Sequence, residues 1–183
     1  MVQTTYRILI LLILVLSADL AVAQQAIKPR SSPTAIITAK YKDTYIKITY
    51  CQPHKRGREV FGKLVPYNEV WRTGANEATE MTLTREAYLA GNLVPAGTYT
   101  IFSIPGPEKW TIILNKENGL WGSYNYNAKL DLLRFEIPVS DAGNTPFEAF
   151  TMMFDQRNNV ADLLLIWDRT KISIPIQFIE PKI

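Results

Sequence analysis

The stretch TAIITAKYKDTYIKITY, residues 34–50, decides the fold. Its second half alternates, with Ile46, Ile48 and Tyr50 on one face and Tyr45, Lys47 and Thr49 on the other. A period of two is the mark of a strand with one buried face. The first half is rich in β-branched and apolar residues, and Lys42-Asp43 supplies a turn between the halves. Together they predict a β-hairpin.

The same grammar repeats toward the C-terminus. Strands are expected over residues 79–84, 87–90, 98–104, 110–115, 132–139, 147–154, 160–167 and 171–178. Gly91-Asn92, Pro95-Ala96-Gly97 and Pro105-Gly106-Pro107 punctuate them as turns. In the last strand Ile172, Ile174, Ile176 and Phe178 oppose Ser173, Pro175 and Gln177. Pro175 has no N–H for a ladder, which predicts an edge strand or a bulge. No window reads as a capped amphipathic helix; the nearest is a turn or two around residues 68–72. The expected fold is all-β: a single antiparallel β-sandwich or flattened barrel of about nine or ten strands.

Composition bounds the rest. A chain of 183 residues, 47% hydrophobic and 20% charged, makes one ordinary domain with a real core. One cysteine allows no intramolecular disulfide. A net charge of +3, spread without a like-charge block, argues against a nucleic-acid partner. The chain has no G-x-S-x-G of a serine nucleophile; it also has no Walker or dinucleotide glycine loop, and no cofactor is expected.

Residues 1–23 read as a signal peptide. Arg7 supplies the positive region, residues 8–16 an unbroken apolar run, and Ala21-Val22-Ala23 the small-x-small cleavage pattern before Gln24. The run is shorter than the ~20 residues a membrane-spanning helix needs. The chain is therefore expected to be exported, periplasmic or secreted, with no membrane span after cleavage. Residues 24–32 read as a flexible lead-in and residues 33–179 as the single domain.

Residues 51–78, CQPHKRGREVFGKLVPYNEVWRTGANEA, break the strand pattern. A connection this long exceeds the ~12–15 residues usual for a structureless loop, which marks it as a candidate functional segment. Arg58 and Arg72 offer planar donor forks for a carboxylate, phosphate or sulfate. Asn76 and Glu77 add directional hydrogen bonds, and Gly74 allows close backbone approach or a positive φ. The competing reading is a structural network that pins the loop to the sandwich. Glu59 and Glu77 are candidates for a glycosidase carboxylate pair. His54, the one histidine, is a candidate general base. With Cys51 it has C-x-x-H spacing, but one Cys and one His fall short of a four-ligand zinc site, so no metal is expected. Cys51 reads better as a small buried residue than as a nucleophile. A second loop, GLWGSYNYN at residues 119–127, offers Trp121, Tyr124 and Tyr126 as an aromatic platform for sugar or protein, or as a plug for the sandwich.

Several motifs also carry a resemblance. They are Tyr50-x-x-Pro53, Gly57-Arg58, the run FGKLVPY at residues 61–67, WRTGANEAT at residues 71–79 and PAGTY at residues 95–99. Trp110-Thr111, Trp121-Gly122, Asp131, Arg134 and residues 150–154 continue the likeness. On these the chain resembles a bacterial exported family, domain-of-unknown-function family 2911, common in Bacteroidetes. The resemblance implies a β-rich fold and export, and supplies no reaction. Members often carry an arginine just before the first motif proline; this chain has Gln52. If that arginine binds an anion, the anion is held less tightly here.

Three readings of function follow. The first is a non-catalytic binding module for a small polar or anionic ligand, a glycan or an envelope protein, using Arg58, Arg72, Asn76, Glu77, His54, Tyr67, Trp121 and Tyr124. The second is a hydrolase- or lyase-like enzyme on envelope or polysaccharide material, with Glu77 or His54 as acid/base. The third is a structural or interaction protein without a ligand site.

Overall fold

Alternating side chains demand a buried face, and the chain meets that demand with two packed sheets. The structure is a computed structural model that describes residues 3 and 28–180. The compact unit carrying the sheets begins at Ser31. Residues 24–27 of the lead-in and, residue 3 apart, the expected signal peptide lie outside the described residues.

The strands are β1 (Thr34–Tyr41), β2 (Thr44–Cys51), β3 (Thr79–Leu83), β4 (Ala87–Leu89), β5 (Asn92–Val94) and β6 (Gly97–Ile104). Then follow β7 (Lys109–Asn115), β8 (Asp131–Pro138), β9 (Ser140–Asp141), β10 (Phe147–Arg157), β11 (Val160–Asp168) and β12 (Thr170–Phe178). One sheet runs β1-β2-β3-β6-β7-β8; the other runs β10-β11-β12-β4-β5, with β9 also on β12. All pairings are antiparallel. The sheets stay open at their edges, so the fold is a β-sandwich rather than a barrel. Among the described residues no helix is long and apolar enough to cross a membrane.

The opening hairpin forms in the expected register, with Tyr41 opposite Thr44, and Ile46, Ile48 and Tyr50 are buried. The free edge of β1 is capped by a side chain. The Gln156 amide accepts from the Lys40 N–H at 3.3 Å and donates to the Lys40 carbonyl at 2.8 Å. Covering an edge in this way removes a template for strand addition.

Several details depart from expectation. Strands β5 and β9 were not expected, because segments this short display no period. The β4–β5 turn is Ala90-Gly91 rather than Gly91-Asn92: Leu89 pairs with Asn92, and both turn residues have positive φ, 46° and 77°. Strand β12 is not an edge strand, since it lies between β11 and β4. Pro175 is tolerated because its carbonyl accepts from Ala90 N–H at 2.8 Å, just where the β4 ladder ends. A strand residue points both its backbone groups the same way, so the missing donor faces that ladder end and not β11. Residues 68–72 form no helix; Trp71 instead exchanges two backbone hydrogen bonds with Ser103, at 2.7 and 2.9 Å.

Candidate functional site

The segment between β2 and β3 is built in three stitches. Its first part runs along β10, where Lys55 N–H donates to Glu148 and Phe150 N–H to Pro53, each at 2.8 Å. Its middle reaches the core. Phe61 and Trp71 are buried, the Trp71 indole stacks on Trp167 at 6.0 Å and 20°, and its Nε1 donates to the Gly74 carbonyl at 3.0 Å. Its last part turns sharply through Thr73 and Asn76, whose φ values are 53° and 56°. A buried β-branched residue in that region costs about 1–3 kcal/mol. Thr73 is held there by Ser103 Oγ at 2.9 Å and by the Thr79 hydroxyl, which donates to the Thr73 carbonyl at 2.7 Å. Gly74 answers a need for space rather than for positive φ. A Cβ there would lie 3.0 Å from the Cys51 carbonyl and 3.1 Å from the Thr79 hydroxyl.

The other face of this segment lines a cavity of about 350 Å³, with His54, Arg56, Arg58, Glu69 and Arg72 around it and Trp71 and Trp167 contributing their indoles. Ser31 and Ser32 complete the lining. They are held by the same segment: Arg56 Nη2 donates to the Ser31 carbonyl at 3.1 Å and Asn76 Nδ2 to that of Ser32 at 3.3 Å. Arg58 spends Nε and Nη2 on the Lys55 and His54 carbonyls, at 2.9 and 2.8 Å. Three buried side-chain polar atoms among the described residues have no protein partner, and two of them, His54 Nδ1 and Arg72 Nε, belong to this lining.

Of the expected site residues, His54, Arg58 and Arg72 come together. Glu77 does not join them. The turn through Thr73 and Asn76 carries it to a separate cavity of about 270 Å³, where Cys51 Sγ donates to its Oε2 at 3.3 Å. Asn76 braces the lead-in and, through its carbonyl, accepts the Gly122 N–H at 2.9 Å. Tyr67 is exposed and packs over Gly62, where a Cβ would lie 2.8 Å from its ring. Glu59 is exposed and outside the lining, so the Glu59–Glu77 pair does not share a cavity. Cys51 and His54 likewise face different cavities. Among the described residues no group of three or more His, Cys, Asp or Glu gathers as a metal site would require.

The aromatic loop divides. Tyr126 packs on Phe102 at 4.9 Å and covers the outer face of the first sheet. Its hydroxyl donates to Asp131 at 2.7 Å, and burial, followed by Asp131, pushes its pKa up to about 12. Trp121 and Tyr124 are 58% and 81% exposed. They are not in the cavity lining, but a Cβ at Gly122 between them would meet both the Tyr124 ring and, at 3.0 Å, Arg72 Nη1. Sequence reasoning left Arg56 and Glu69 out of the site. The signal for Arg56 was the basic turn Lys55-Arg56-Gly57-Arg58, with positive φ at Arg56 and Gly57 (50° and 73°); Glu69 had none.

These features define a two-sheet antiparallel β-sandwich with a basic cavity built on the connection between its second and third strands. The chain belongs to the family described as protein of unknown function (DUF2911), whose model matches residues 32–176. No curated protein and no solved structure matches it.

Proposed function

We propose that the chain is an exported, non-catalytic binding module whose basic cavity takes a small anionic ligand. The observation that carries this is that two residues lining one cavity, His54 and Arg72, each carry a buried nitrogen, Nδ1 and Nε, without a protein partner. Leaving a buried donor unanswered costs about 1–3 kcal/mol, more for a charged group. A carboxylate, phosphate or sulfate on the Arg72 fork recovers that cost with charge-assisted hydrogen bonds. Export to the periplasm or beyond rests on the leader, with Arg7, the apolar run and Ala21-Val22-Ala23. The enzyme reading loses support because Glu77 lies on the other cavity. A glycan or envelope protein is a second reading, favoured by the exposure of Trp121 and Tyr124.

The test is a thermal-shift screen of the full chain against carboxylates, phosphate, sulfate, neutral glycans and peptides. An anion at a hundred times its Kd adds about 2.7 kcal/mol, which raises Tm by about 5–10 °C in a domain of this size. Arg72→Ala abolishes that rise. If no anion shifts Tm and Arg72→Ala alters stability alone, the binding reading fails.

A further inference from the structure

The charge around the cavity specifies more than an anion, on the premise that the binding reading just given holds. We infer that the cavity selects a compact ligand with two anionic groups, an inner one on Arg72 and His54 and an outer one between Arg56 and Arg58.

Three guanidinium groups line the cavity against one carboxylate, Glu69. The protein does neutralise a cation nearby: Lys55 Nζ pairs with Asp168 at 2.6 Å. It does not do so for the arginines. Arg58 and Arg56 are pinned through neutral backbone carbonyls, of Lys55, His54 and Ser31. Those bonds fix where the guanidinium groups sit and leave their positive charge unspent. Pinning also lowers the ordering cost of binding, because the side chains are already positioned.

Depth separates the two seats. Arg72 is half-buried with Nε sealed from solvent, whereas Arg56 and Arg58 are exposed. One anionic group reaching Arg72 leaves the outer pair unanswered. The lining also includes Leu64, Val65, Val70 and Trp71, an apolar surface suited to a short hydrocarbon spacer. A volume of about 350 Å³ is at the low end for small-molecule sites, which favours a ligand of only a few carbons.

The experiment compares matched pairs by titration calorimetry on the full chain in low salt: glutarate against pentanoate, and succinate against butyrate. A second charge-assisted contact predicts that the better dicarboxylate binds about tenfold or more tighter than its monocarboxylate partner. That advantage shrinks as salt rises through about 0.3 M, because the outer seat is exposed and screened. In the Arg56→Ala/Arg58→Ala variant the dicarboxylate loses its advantage and binds no tighter than its monocarboxylate partner measured on the same variant. Its ligand-free Tm reports whether it folds; if it does not, Arg56→Gln alone, which leaves the Arg58 anchors in place, is expected to reduce the advantage. Equal affinity for mono- and dicarboxylates overturns the two-anion inference and leaves the binding reading standing. An advantage that survives in a folded double variant also overturns it. Failure of all four probes, with no shift from phosphate or sulfate, removes the binding reading itself.

Discussion

Two arginines in this molecule sit in loop-rich surroundings and are treated in opposite ways. Arg134, on β8, donates Nε to Asp131 Oδ2 at 2.6 Å and Nη2 to the Tyr126 hydroxyl. Asp131 in turn accepts from Tyr126 at 2.7 Å and from the buried Asn115 amide at 2.7 Å. Every member of that cluster answers another. Arg72, in the segment between β2 and β3, has a sealed Nε with no protein partner and shares its cavity with an equally unanswered His54 Nδ1. Arg134 is thus a structural arginine, with each bond returned by its neighbours. At Arg134, where a guanidinium ties the aromatic loop to β8, the chain supplies the carboxylate of Asp131. At Arg72 it supplies none.

The comparison presumes that the cavity rests on a core as firm as the one under Arg134. Trp71 is the residue that tests this, since it both lines the cavity and stacks among Phe61, Phe150 and Trp167. Trp71→Ala is expected to cost about 3–5 kcal/mol in urea unfolding, the usual loss for a buried large aromatic. A loss under 1 kcal/mol shows the cavity wall to be loosely attached, and the geometry around Arg72 then loses its meaning.

Asp131→Ala attacks the paired side of the comparison. It takes one of the two acceptors from the buried Asn115 amide, which keeps its bond to the Asn127 carbonyl, and removes the carboxylate that both Tyr126 and Arg134 donate to. Arg134 is 44% exposed and can turn to solvent, so most of the penalty falls on Asn115 and Tyr126. A destabilisation of about 2–3 kcal/mol is expected. Little or no change means that satisfied clusters carry no weight in this fold.

Tyr126 gives a smaller effect with a distinct signature. Its folded pKa of about 12 lies above the ordinary value near 10. A group that binds its proton more tightly when folded contributes fully below the unfolded pKa and loses that contribution as pH rises through the folded one. Stability should therefore fall between about pH 10 and pH 12. Burial raises the Tyr50 and Tyr99 pKa values as well, so Tyr126→Phe reduces the fall without erasing it. Thermal unfolding across that window checks the difference; identical slopes in the two proteins uncouple Tyr126 from the Arg134 cluster.

Why one of these regions was legible in the sequence and the other was not follows from range. The strands show themselves because period two is written in neighbouring residues, as in Ile46, Ile48 and Tyr50 or Ile172, Ile174 and Ile176. The residue types of the cavity were legible too, in His54, Arg58 and Arg72. Their grouping was not, because it depends on bonds across the molecule. Lys55 meets Glu148 and Trp71 meets Ser103, and no local pattern encodes either. Glu77 lies five positions from Arg72 and was expected beside it. Two departures into positive φ, at Thr73 and Asn76, send it to Cys51 instead. Nothing in the letters T and N announces a left-handed threonine. Pro175 was misread for a related reason: a proline reports a missing donor, but not toward which neighbour the donor is missing.

The smallest expected change is the most discriminating. Arg72→Met keeps the length of the side chain and its packing stem while removing the charge and all its donors. If Arg72 were structural in the manner of Arg134, the substitution would cost about 1–3 kcal/mol through stranded partners. At Arg72 there is no partner to strand, so the ligand-free stability should hold within about 0.5 kcal/mol, or rise, because a half-buried unpaired charge has been relieved of its desolvation cost. The same variant should lose the thermal shift that anions give the parent. Urea unfolding of parent and variant, each with and without sulfate, reads both halves of the claim in one experiment. A variant that is plainly destabilised but still responds to anions assigns Arg72 to the scaffold, and the contrast with Arg134 collapses. A variant of unchanged stability that no longer responds leaves one role for the guanidinium, which is to bind a group that arrives from outside.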